Sequence, residues 1–246
     1  MSTALNPQIR RPIVYPESDG KPMADNTRQF QYIVMIQGGL DWLFQPNEHV
    51  FVAGDLLWYP VEGRPEISVA PDALVVFGRP KGHRGSYLQW LEDGIPPQVV
   101  FEVLSPSNRA SELARKLEFY ERYGVEECYF YDPDTGDLSG WRRHGNHFQA
   151  IAQMQGWVSP RLGVKFEIVD TELRLTGPDG RPFATYLELA AERVREAQQA
   201  QLERQRAEQA GQRAEQARQR ADRERERADR LAEKLRSLGI TPEETP

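Results

Sequence analysis

Two acidic residues stand inside segments that are otherwise apolar and rich in β-branched residues. Asp72 lies within residues 69–77, VAPDALVVF, and Glu102 lies within residues 99–104, VVFEVL. Such segments predict buried strands, where an uncompensated carboxylate is strongly unfavourable. An edge strand could turn either acid alone to solvent. The pair favours a compensating cation, and a divalent metal ion is the obvious choice.

The first half of the chain predicts one helix followed by three strands. A helix is expected to begin near Asp25 or Asn26, and apolar residues recur after it at helical spacing: Phe30, Ile33, Val34 and Leu40. Strands are predicted at residues 50–58, 67–77 and 98–104, each bounded by Pro or Gly. Asp55 falls within the first of these strands, so it is another carboxylate that could line a site.

The next segments complete a mixed fold. A second helix is expected after residues 105–108, with Gly124 as its C-terminal stop. A strand at 128–132, a hairpin at 138–143 and 147–151, and short strands at 164–169 and 172–175 are predicted to complete the sheet. This order predicts an α/β fold of the mixed α+β kind. A central mixed sheet flanked by helices is expected over residues 25–180, after an irregular arm over residues 1–24.

The composition changes from about residue 187 to Ala, Gln, Glu and Arg, which predicts a long exposed helix or coiled coil over residues 187–240. Alanine and leucine recur at heptad spacing, as at Ala207, Ala214 and Leu238, but Glu203 and Glu224 fall on the same seam. Rows of arginine flank the seam, so identical partners would set arginine against arginine.

Three arginine–acid pairs are spaced to form ion pairs within this helix, each worth about 0.3 kcal/mol: Arg204 with Glu208, Arg218 with Asp222, and Arg225 with Asp229. We therefore expect a largely self-supported helix. This helix would contact another molecule through its leucine-bearing end, or it would bind an acidic protein partner. The other interpretation is an oligomer formed through residues 187–240. A solvated tail of no specific role is equally compatible with the pattern.

The composition argues against several classes of protein. No apolar run approaches the roughly 18 residues of a membrane span, and the first residues lack the apolar stretch of a secretory signal, so we expect a cytoplasmic protein. Cys128 is the only cysteine, which excludes an internal disulfide and a cysteine-based zinc cluster.

The charge distribution separates the two parts of the chain. The net charge is −6, and residues 1–187 hold 18 basic and 24 acidic residues, which weighs against nonspecific capture of nucleic acid by the field of the domain. A Gly-rich loop at residues 78–85 carries Arg79, Lys81 and Arg84. These cations could bind nucleic acid locally, or the loop could be a solvated connection between strands.

The acidic pair and a nearby lysine would suit hydrolysis of a phosphodiester. This reaction needs an activated water and neutralised phosphate oxygens, which Mg²⁺ or Mn²⁺ held by carboxylates and assisted by a lysine can provide. Asp72 and Glu102 on adjacent strands would supply the carboxylates, and Lys116 on the following helix would supply the amine. Glu112 lies one turn before Lys116, and an ordinary surface pair is the alternative interpretation.

Several motifs in order resemble the Uma-type restriction endonucleases, which belong to the PD-(D/E)XK nuclease superfamily. The resemblance covers roughly residues 14–175 and rests on five motifs: Pro71-Asp72, the FEVLSPS run at 101–107, the RKLEFY run at 115–120, the GVEE run at 124–127 and the YDP run at 131–133. It implies a four-stranded mixed sheet between helices. The arginine-rich tail lies outside it.

The resemblance also assigns roles to residues. It makes Asp72 and Glu102 metal ligands and adds the backbone carbonyl of Val103. The lysine of the superfamily usually follows the acid by two residues, where this chain has Leu104. In this family a lysine on the next helix takes its place, and Lys116 is at that position. Glu112 is at a position where the family commonly has aspartate. An acid on the first helix recurs in the superfamily, and Asp25 is the candidate here.

These observations predict a Mg²⁺-dependent endonuclease that cleaves DNA. In this hypothesis Asp72 and Glu102 bind the metal, Lys116 stabilises developing charge or orients the water, and Glu112 positions Lys116 or a second ion. The first alternative is a nuclease fold without turnover that binds a partner through its C-terminal helix. A metal phosphoesterase acting on a small nucleotide is the second.

Overall fold

The structure is a computed structural model that describes residues 13–20 and 22–238. In this part of the chain the helices are α1 (Thr27–Leu43), α2 (Ala110–Tyr123) and α3 (Tyr186–Ser237), with a short 3₁₀ helix at Gln89–Leu91. The strands are β1 (Val50–Ala53), β2 (Trp58–Tyr59), β3 (Ala73–Phe77), β4 (Tyr87–Leu88), β5 (Val99–Val103), β6 (Glu127–Tyr131), β7 (Leu138–His144), β8 (His147–Ala150), β9 (Trp157–Val158), β10 (Lys165–Val169) and β11 (Glu172–Thr176).

The main sheet has six strands in the order β1-β3-β5-β6-β7-β8. β5 and β6 are parallel and are joined through α2, whereas the other neighbours in this sheet are antiparallel. A parallel pair needs a long crossover, and α2 supplies it. The predicted mixed sheet flanked by helices is confirmed. The sheet has six strands rather than four, because the β7–β8 hairpin adds two strands beyond β6.

Alternate side chains of the main sheet enter two separate cores. The first core lies between the sheet and α1 and includes Ile36, Val75 and Phe101, together with residues of β10 and β11. The second core lies against α2 and includes Leu74, Val100 and Tyr120. Side chains that alternate along a strand point to opposite faces. The face of the sheet covered by α2 is called the α2 face below.

The N-terminus of α1 follows the prediction, but its buried side does not. Asn26 is the N-cap, and its side chain accepts a hydrogen bond from the backbone N–H of Gln29 at 2.9 Å. Phe30 and Val34 were expected on the apolar face but are exposed. The buried positions of α1 are Gln29, Ile33, Met35, Ile36 and Leu40.

α1 runs without a break through Gly38 and Gly39. A Cβ atom on Gly39 would overlap the ring of Phe183, so only glycine lets that ring pack against the helix. The backbone N–H of Phe183 also donates to the carbonyl of Leu175 in β11 at 2.8 Å. The segment after β11 is thereby attached to the first core.

Two of the predicted strands are shorter than expected. The strand predicted at 50–58 is interrupted at Asp55, whose φ of 48° is incompatible with extended backbone. The strand predicted at 67–77 contributes only β3 to the main sheet, and Asp72 lies at a bend just before it. The prediction that Asp55 and Asp72 are inside strands is therefore wrong, whereas Glu102 does lie in β5.

The strands predicted to complete the main sheet form a sheet of their own. β9, β10 and β11 pair antiparallel in the order β11-β10-β9. Phe166 and Leu175 point into the first core, so this second sheet covers the main one instead of extending it. The apolar alternation of these strands predicts one buried face and leaves the choice of neighbour open.

The end of α2 and the hairpin agree with the sequence. Gly124 adopts the left-handed conformation, with φ 100°, and ends α2 as predicted. The hairpin of β7 and β8 turns at residues 145 and 146. Of the predicted arm, residues 1–12 and 21 lie outside the described residues. Within its described part, Tyr15 packs against Tyr59 and Trp90.

The described chain divides into two compact units, one ending at Tyr186 and the other beginning at Leu187. α3 has 52 residues and no buried residue. Residues 239 and 240 of the predicted helix lie outside the described residues. None of the described helices is both long and apolar enough to cross a membrane.

The three predicted ion pairs of α3 do not form, whereas Arg230 and Glu226 do pair, at 3.5 Å. In each predicted pair the arginine precedes the acid. In the observed pair the acid precedes the arginine, which is the better order within a helix. These side chains are exposed, so an unfavourable order is enough to leave them apart.

Candidate active site

Glu102 is held between β5 and α2. Its side chain is 2% exposed, and its Oε2 atom accepts a hydrogen bond from Nζ of Lys116 at 2.6 Å. The Tyr120 hydroxyl donates to Oε1 of the same carboxylate. Lys116 and Tyr120 are four residues apart on α2 and therefore lie on one face of the helix. The burial of Glu102 is thus compensated by one cation and one hydroxyl.

Asp72 lies beside the end of β5. The register of β3 and β5 pairs Ala73 with Phe101, so the same register continued by one residue sets Asp72 opposite Glu102. The Oδ2 atom of Asp72 accepts a hydrogen bond from the backbone N–H of Val103 at 2.6 Å. That bond fixes the carboxylate against the last residue of β5.

Asp72 and Glu102 are on the same face of the sheet. Glu102 alternates with Val100 in β5, whose side chain lies in the core beneath α2. Asp72 lies at the bend before β3, close enough to Glu102 and Lys116 for both charges to shift its pKa. The two acids therefore share the α2 face with Lys116. The sequence-predicted pair of acids and the predicted lysine are brought together.

The charges in this cluster shift each other's protonation. Burial raises the pKa of Asp72 well above its usual range, and the negative charge of Glu102 raises it further. The positive charge of Lys116 and the N–H of Val103 oppose this shift. Burial alone would lower the pKa of Lys116, but Glu102 outweighs it and the pKa of the amine is raised. Lys116 is therefore a cation, and a second cation here would relieve the repulsion between the acids.

Glu112 acts on Lys116 through its charge rather than by contact. It lies one turn before Lys116 on α2, and its charge contributes to raising the pKa of the lysine. In the described part of the chain, Lys116 forms an ion pair with Glu102 only. The alternative interpretation of Glu112 and Lys116 as an ordinary surface pair is wrong, because the amine is turned toward Glu102 instead.

The carbonyl of Val103 is contacted by a side chain from α1. The Nε2 atom of Gln29 donates to this oxygen at 2.7 Å, and the Oε1 atom of Gln29 accepts from the backbone N–H of Asp25 at 2.8 Å. Gln29 is 6% exposed. Both ends of its amide are thus occupied. A carbonyl oxygen has a second lone pair, so Val103 keeps the capacity to act as a ligand.

The other two acidic candidates lie at different places. Asp55 is exposed near the cluster, and its backbone N–H donates to the carbonyl of Pro71 at 3.1 Å. Partial desolvation of its carboxylate and the charge of Asp19 raise the pKa of Asp55, whereas the charge of Lys116 lowers it.

Asp25 accepts hydrogen bonds from the hydroxyls of Ser105 and Ser107, which lower its pKa. These bonds tie the residue before α1 to the loop that follows β5. In the described structure its carboxylate bonds to these serines rather than to the groups around Glu102.

The basic groups of the Gly-rich loop are engaged within the domain. Arg79 and Arg84 pair with Glu92, at 2.8 and 2.6 Å, and Arg84 also lies 3.9 Å from the ring centroid of Phe51. Lys81 lies 3.5 Å from Asp41. The first two side chains are largely buried against the protein, so this loop is a structural connection.

The donor set suits a hard divalent cation that keeps part of its water shell. Mg²⁺ in proteins commonly takes one or two carboxylates and completes its octahedron with water and substrate oxygens. Asp72, Glu102 and the Val103 carbonyl offer oxygen atoms of that kind. Among the described residues, no group of three or more His, Cys, Asp or Glu side chains is placed to hold a metal ion. The residues present fit a two-carboxylate site and do not form a closed cage.

Two residues of the site were missed or misread from the sequence. From the sequence, Tyr120 was noted only as the last residue of the motif at 115–120, although a buried tyrosine hydroxyl needs a partner. Gln29 was not singled out. It occupies the same helical stripe as Ile33, Ile36 and Leu40, and a polar residue at the start of an apolar stripe is the signal that could have identified it.

A mixed sheet between helices, with two acids and a lysine on one face, is the arrangement expected of a restriction-endonuclease-like domain. The sequence profile of the Uma2 family, described as putative restriction endonucleases, matches residues 35–168, which is more than half of the chain. The chain belongs to this family and is therefore classed with putative nucleases, hydrolases acting on nucleic acid.

The comparison with solved structures found a crystal structure of a putative nuclease from Anabaena variabilis ATCC 29413. It is similar at 15% sequence identity with a TM-score of 0.42, and the match covers 61% of this chain and 84% of that chain. Among curated proteins, none matches this chain.

Proposed function

We propose that the protein is an endonuclease that uses Mg²⁺ or Mn²⁺ to hydrolyse phosphodiester bonds of DNA. The observation that carries the proposal is the position of Asp72 opposite Glu102 on the α2 face, with the Lys116 amine 2.6 Å from Glu102. Two like charges at adjacent positions are unfavourable without a cation between them. Membership of a family described as restriction endonucleases supports the choice of DNA.

The proposed roles follow from the contacts of each side chain. Asp72, Glu102 and the Val103 carbonyl would hold the metal ion, which when bound supplies Lewis acidity and lowers the pKa of water. Lys116 keeps its charge next to Glu102 and so offers a fixed positive group to a phosphoryl oxygen. Glu112 helps to hold that charge, because its own negative charge favours the protonated amine.

Tyr120 is proposed as a positioning residue. Its hydroxyl holds one oxygen of Glu102 while Lys116 holds the other, so the carboxylate has a fixed orientation before substrate arrives. Preorganised groups contribute most to catalysis because they need no rearrangement during the reaction.

The proposal is tested by nicking of supercoiled plasmid DNA in Mg²⁺ and in Mn²⁺. The wild-type chain should convert the plasmid to open circles, and EDTA should prevent this. Asp72→Asn and Lys116→Ala should each reduce the rate by about 10²–10³-fold. Arg115→Ala, which removes an exposed charge beside Lys116, is the matched control and should keep the wild-type rate. Equal rates in all four chains would refute the assignment.

A binding module without turnover is the second candidate function. It is favoured by the hydrogen bonds that already occupy both oxygens of Glu102 and by the absence of a third acidic ligand among the described residues. Titration calorimetry with Mg²⁺ separates the two candidates. The endonuclease should bind the ion with Asp72 and lose this binding in Asp72→Asn, whereas the module should show no Mg²⁺ binding in either chain.

A further inference from the structure

We propose that α3 binds the phosphate backbone of DNA through one basic face. The face consists of eight side chains that share two heptad positions: Arg204, Arg206, Arg213, Arg218, Arg220, Arg225, Arg227 and Lys234. The choice of DNA as the partner rests on the proposed function. The face itself lies outside residues 35–168, the part of the chain that matches the family.

The face is continuous along the helix. If Ala207, Ala214, Ala221 and Ala228 are position a of a heptad, the g positions from 206 to 234 are all basic, and the e positions carry Arg204, Arg218 and Arg225. Successive g side chains are about 10.5 Å apart along the axis, and the alanine seam lies between the two rows. A shallow groove on this side is lined by Arg213, Ala217, Arg220 and Ala221, among others.

The acids of the same segment lie outside the two basic rows, and those at position b neighbour the e row. Between residues 204 and 234 they occupy positions b and f, with one exception: Glu208, Glu215, Asp222, Glu226, Asp229 and Glu233. The exception is Glu224, which lies on the seam between Arg220 and Arg227. Within the described helix, none of the eight basic side chains of the face forms an ion pair. The cations are therefore exposed and available.

The first unit offers no comparable surface in its Gly-rich loop. Arg79, Lys81 and Arg84 are paired with acids of the same domain, and residues 1–187 hold an excess of acidic residues. A polyanion is attracted by clustered lysine and arginine and repelled by net negative charge. The basic face of α3 therefore offers DNA the clustered, unpaired cations that this loop does not.

A second copy of the chain fits this face poorly. In a parallel pair the g row of one helix faces the e row of the other, and in an antiparallel pair g faces g. Both arrangements oppose arginine to arginine. An alanine seam buries little apolar area that could offset the repulsion.

An acidic helix from another protein fits less well than DNA. A coiled-coil partner would enclose the seam and bring its own acids close to Glu203 and Glu224. A phosphate backbone can follow the two arginine rows without enclosing the seam. Its dense charge suits a surface whose attraction is almost entirely electrostatic.

The test compares two double variants that remove equal charge from α3. Arg220→Gln with Arg227→Gln removes two cations of the basic face. Arg223→Gln with Arg230→Gln removes two cations of the c position, with the same seven-residue spacing in the same segment. Glutamine and arginine have similar helix propensities, so circular dichroism should show unchanged helix content.

Binding is measured by fluorescence anisotropy of a labelled DNA duplex, with the full chain carrying Asp72→Asn and with EDTA present. The basic-face variant should bind roughly tenfold more weakly at constant salt, and its slope of log K against log salt should be shallower by about 2. The c-position variant should retain most of the affinity. Equal loss in both double variants, or no DNA binding by the parent chain, overturns the proposal.

Two further measurements identify other occupants. Polyglutamate that displaces DNA at a charge concentration well below that of the DNA would assign the face to an acidic protein and overturn the proposal. Light scattering that shows stronger dimers in the variant Arg220→Gln with Arg227→Gln would assign the face to a second copy of the chain and would also overturn the proposal.

DNA binding by the Asp72→Asn chain without nicking by the wild type would refute the proposed nuclease activity only. Nicking with equal binding by both double variants would refute the role of α3 only.

Discussion

The Nε2 atom of Gln29 donates a hydrogen bond to the carbonyl oxygen of Val103 at 2.7 Å, so the first helix reaches the last residue of the strand that carries Glu102. Gln29→Glu would set a carboxylate oxygen against that carbonyl oxygen. We expect a loss of about 1–3 kcal/mol in the free energy of unfolding, because the buried carbonyl loses its donor and faces a negative charge. Urea denaturation without divalent ions measures this loss.

Mn²⁺ or Mg²⁺ should restore part of the stability of Gln29→Glu, because a cation between the two oxygens removes their repulsion. Gln31→Glu makes the same charge change at an exposed position of α1 and should show neither the loss nor the recovery. Equal metal responses in the two variants would show that Gln29 does not border the metal site.

The pair of Glu102 and Lys116 predicts an asymmetric effect on stability. Lys116→Met should cost about 3 kcal/mol, because it leaves the buried carboxylate of Glu102 without its cation. The double variant Glu102→Gln with Lys116→Met should recover most of that loss. Chemical denaturation of the two single variants and the double variant gives the coupling energy. Additive losses would contradict the ion pair described here.

The raised pKa of Asp72 predicts that this acid destabilises the fold at neutral pH. A carboxyl group whose pKa is higher in the folded state favours folding when protonated. Its contribution is complete below the unfolded pKa of about 3.9 and is lost as the pH rises through the folded pKa. Asp72→Asn should therefore raise Tm at pH 8 without metal, and the gain should vanish toward pH 4.

Scanning calorimetry between pH 4 and pH 8 measures the difference in Tm between Asp72→Asn and the wild type. Each kcal/mol of stability corresponds to roughly 2–4 °C in Tm for a chain of this size. Saturating Mg²⁺ should stabilise the wild type but not Asp72→Asn, because ligand binding favours the folded state. A gain in Tm that is constant across the pH range would contradict the shifted pKa.

The Tyr120 hydroxyl should matter for both stability and rate. Tyr120→Phe removes a hydrogen bond to the charged Glu102 and should cost about 1.5–3 kcal/mol. It should slow plasmid nicking by less than Lys116→Ala, because the amine remains. Tyr123→Phe, on the same helix and in contact with the rings of Trp58 and Phe119, is the control. If both phenylalanine variants behave alike, the bond between Tyr120 and Glu102 has no special role.

The fold could be predicted where local patterns determine it. The Asn26 cap, the Gly124 stop and the β7–β8 turn depend on neighbouring residues, and they were found from the sequence. The separate sheet of β9, β10 and β11 could not be predicted, because strand alternation shows that one face is buried but not which element covers it. The positive φ of Asp55 also leaves no clear signal in the sequence.

The site could be predicted only in part, because burial of an acid does not by itself indicate a metal. Glu127 is 1% exposed and accepts hydrogen bonds from Tyr129, Ser159 and the backbone of Arg161. It was not recognised as a buried acid, and protein donors fully compensate it. What distinguishes Glu102 is Asp72 at the opposite position on the neighbouring chain segment, a relationship that requires the register.

The close packing of Phe183 on Gly39 has a practical consequence for anyone shortening this protein. A chain cut after Gly180 would lose the ring, expose the helix surface that it covers and release the end of the second sheet. The smallest fragment expected to keep the site intact therefore extends to Tyr186.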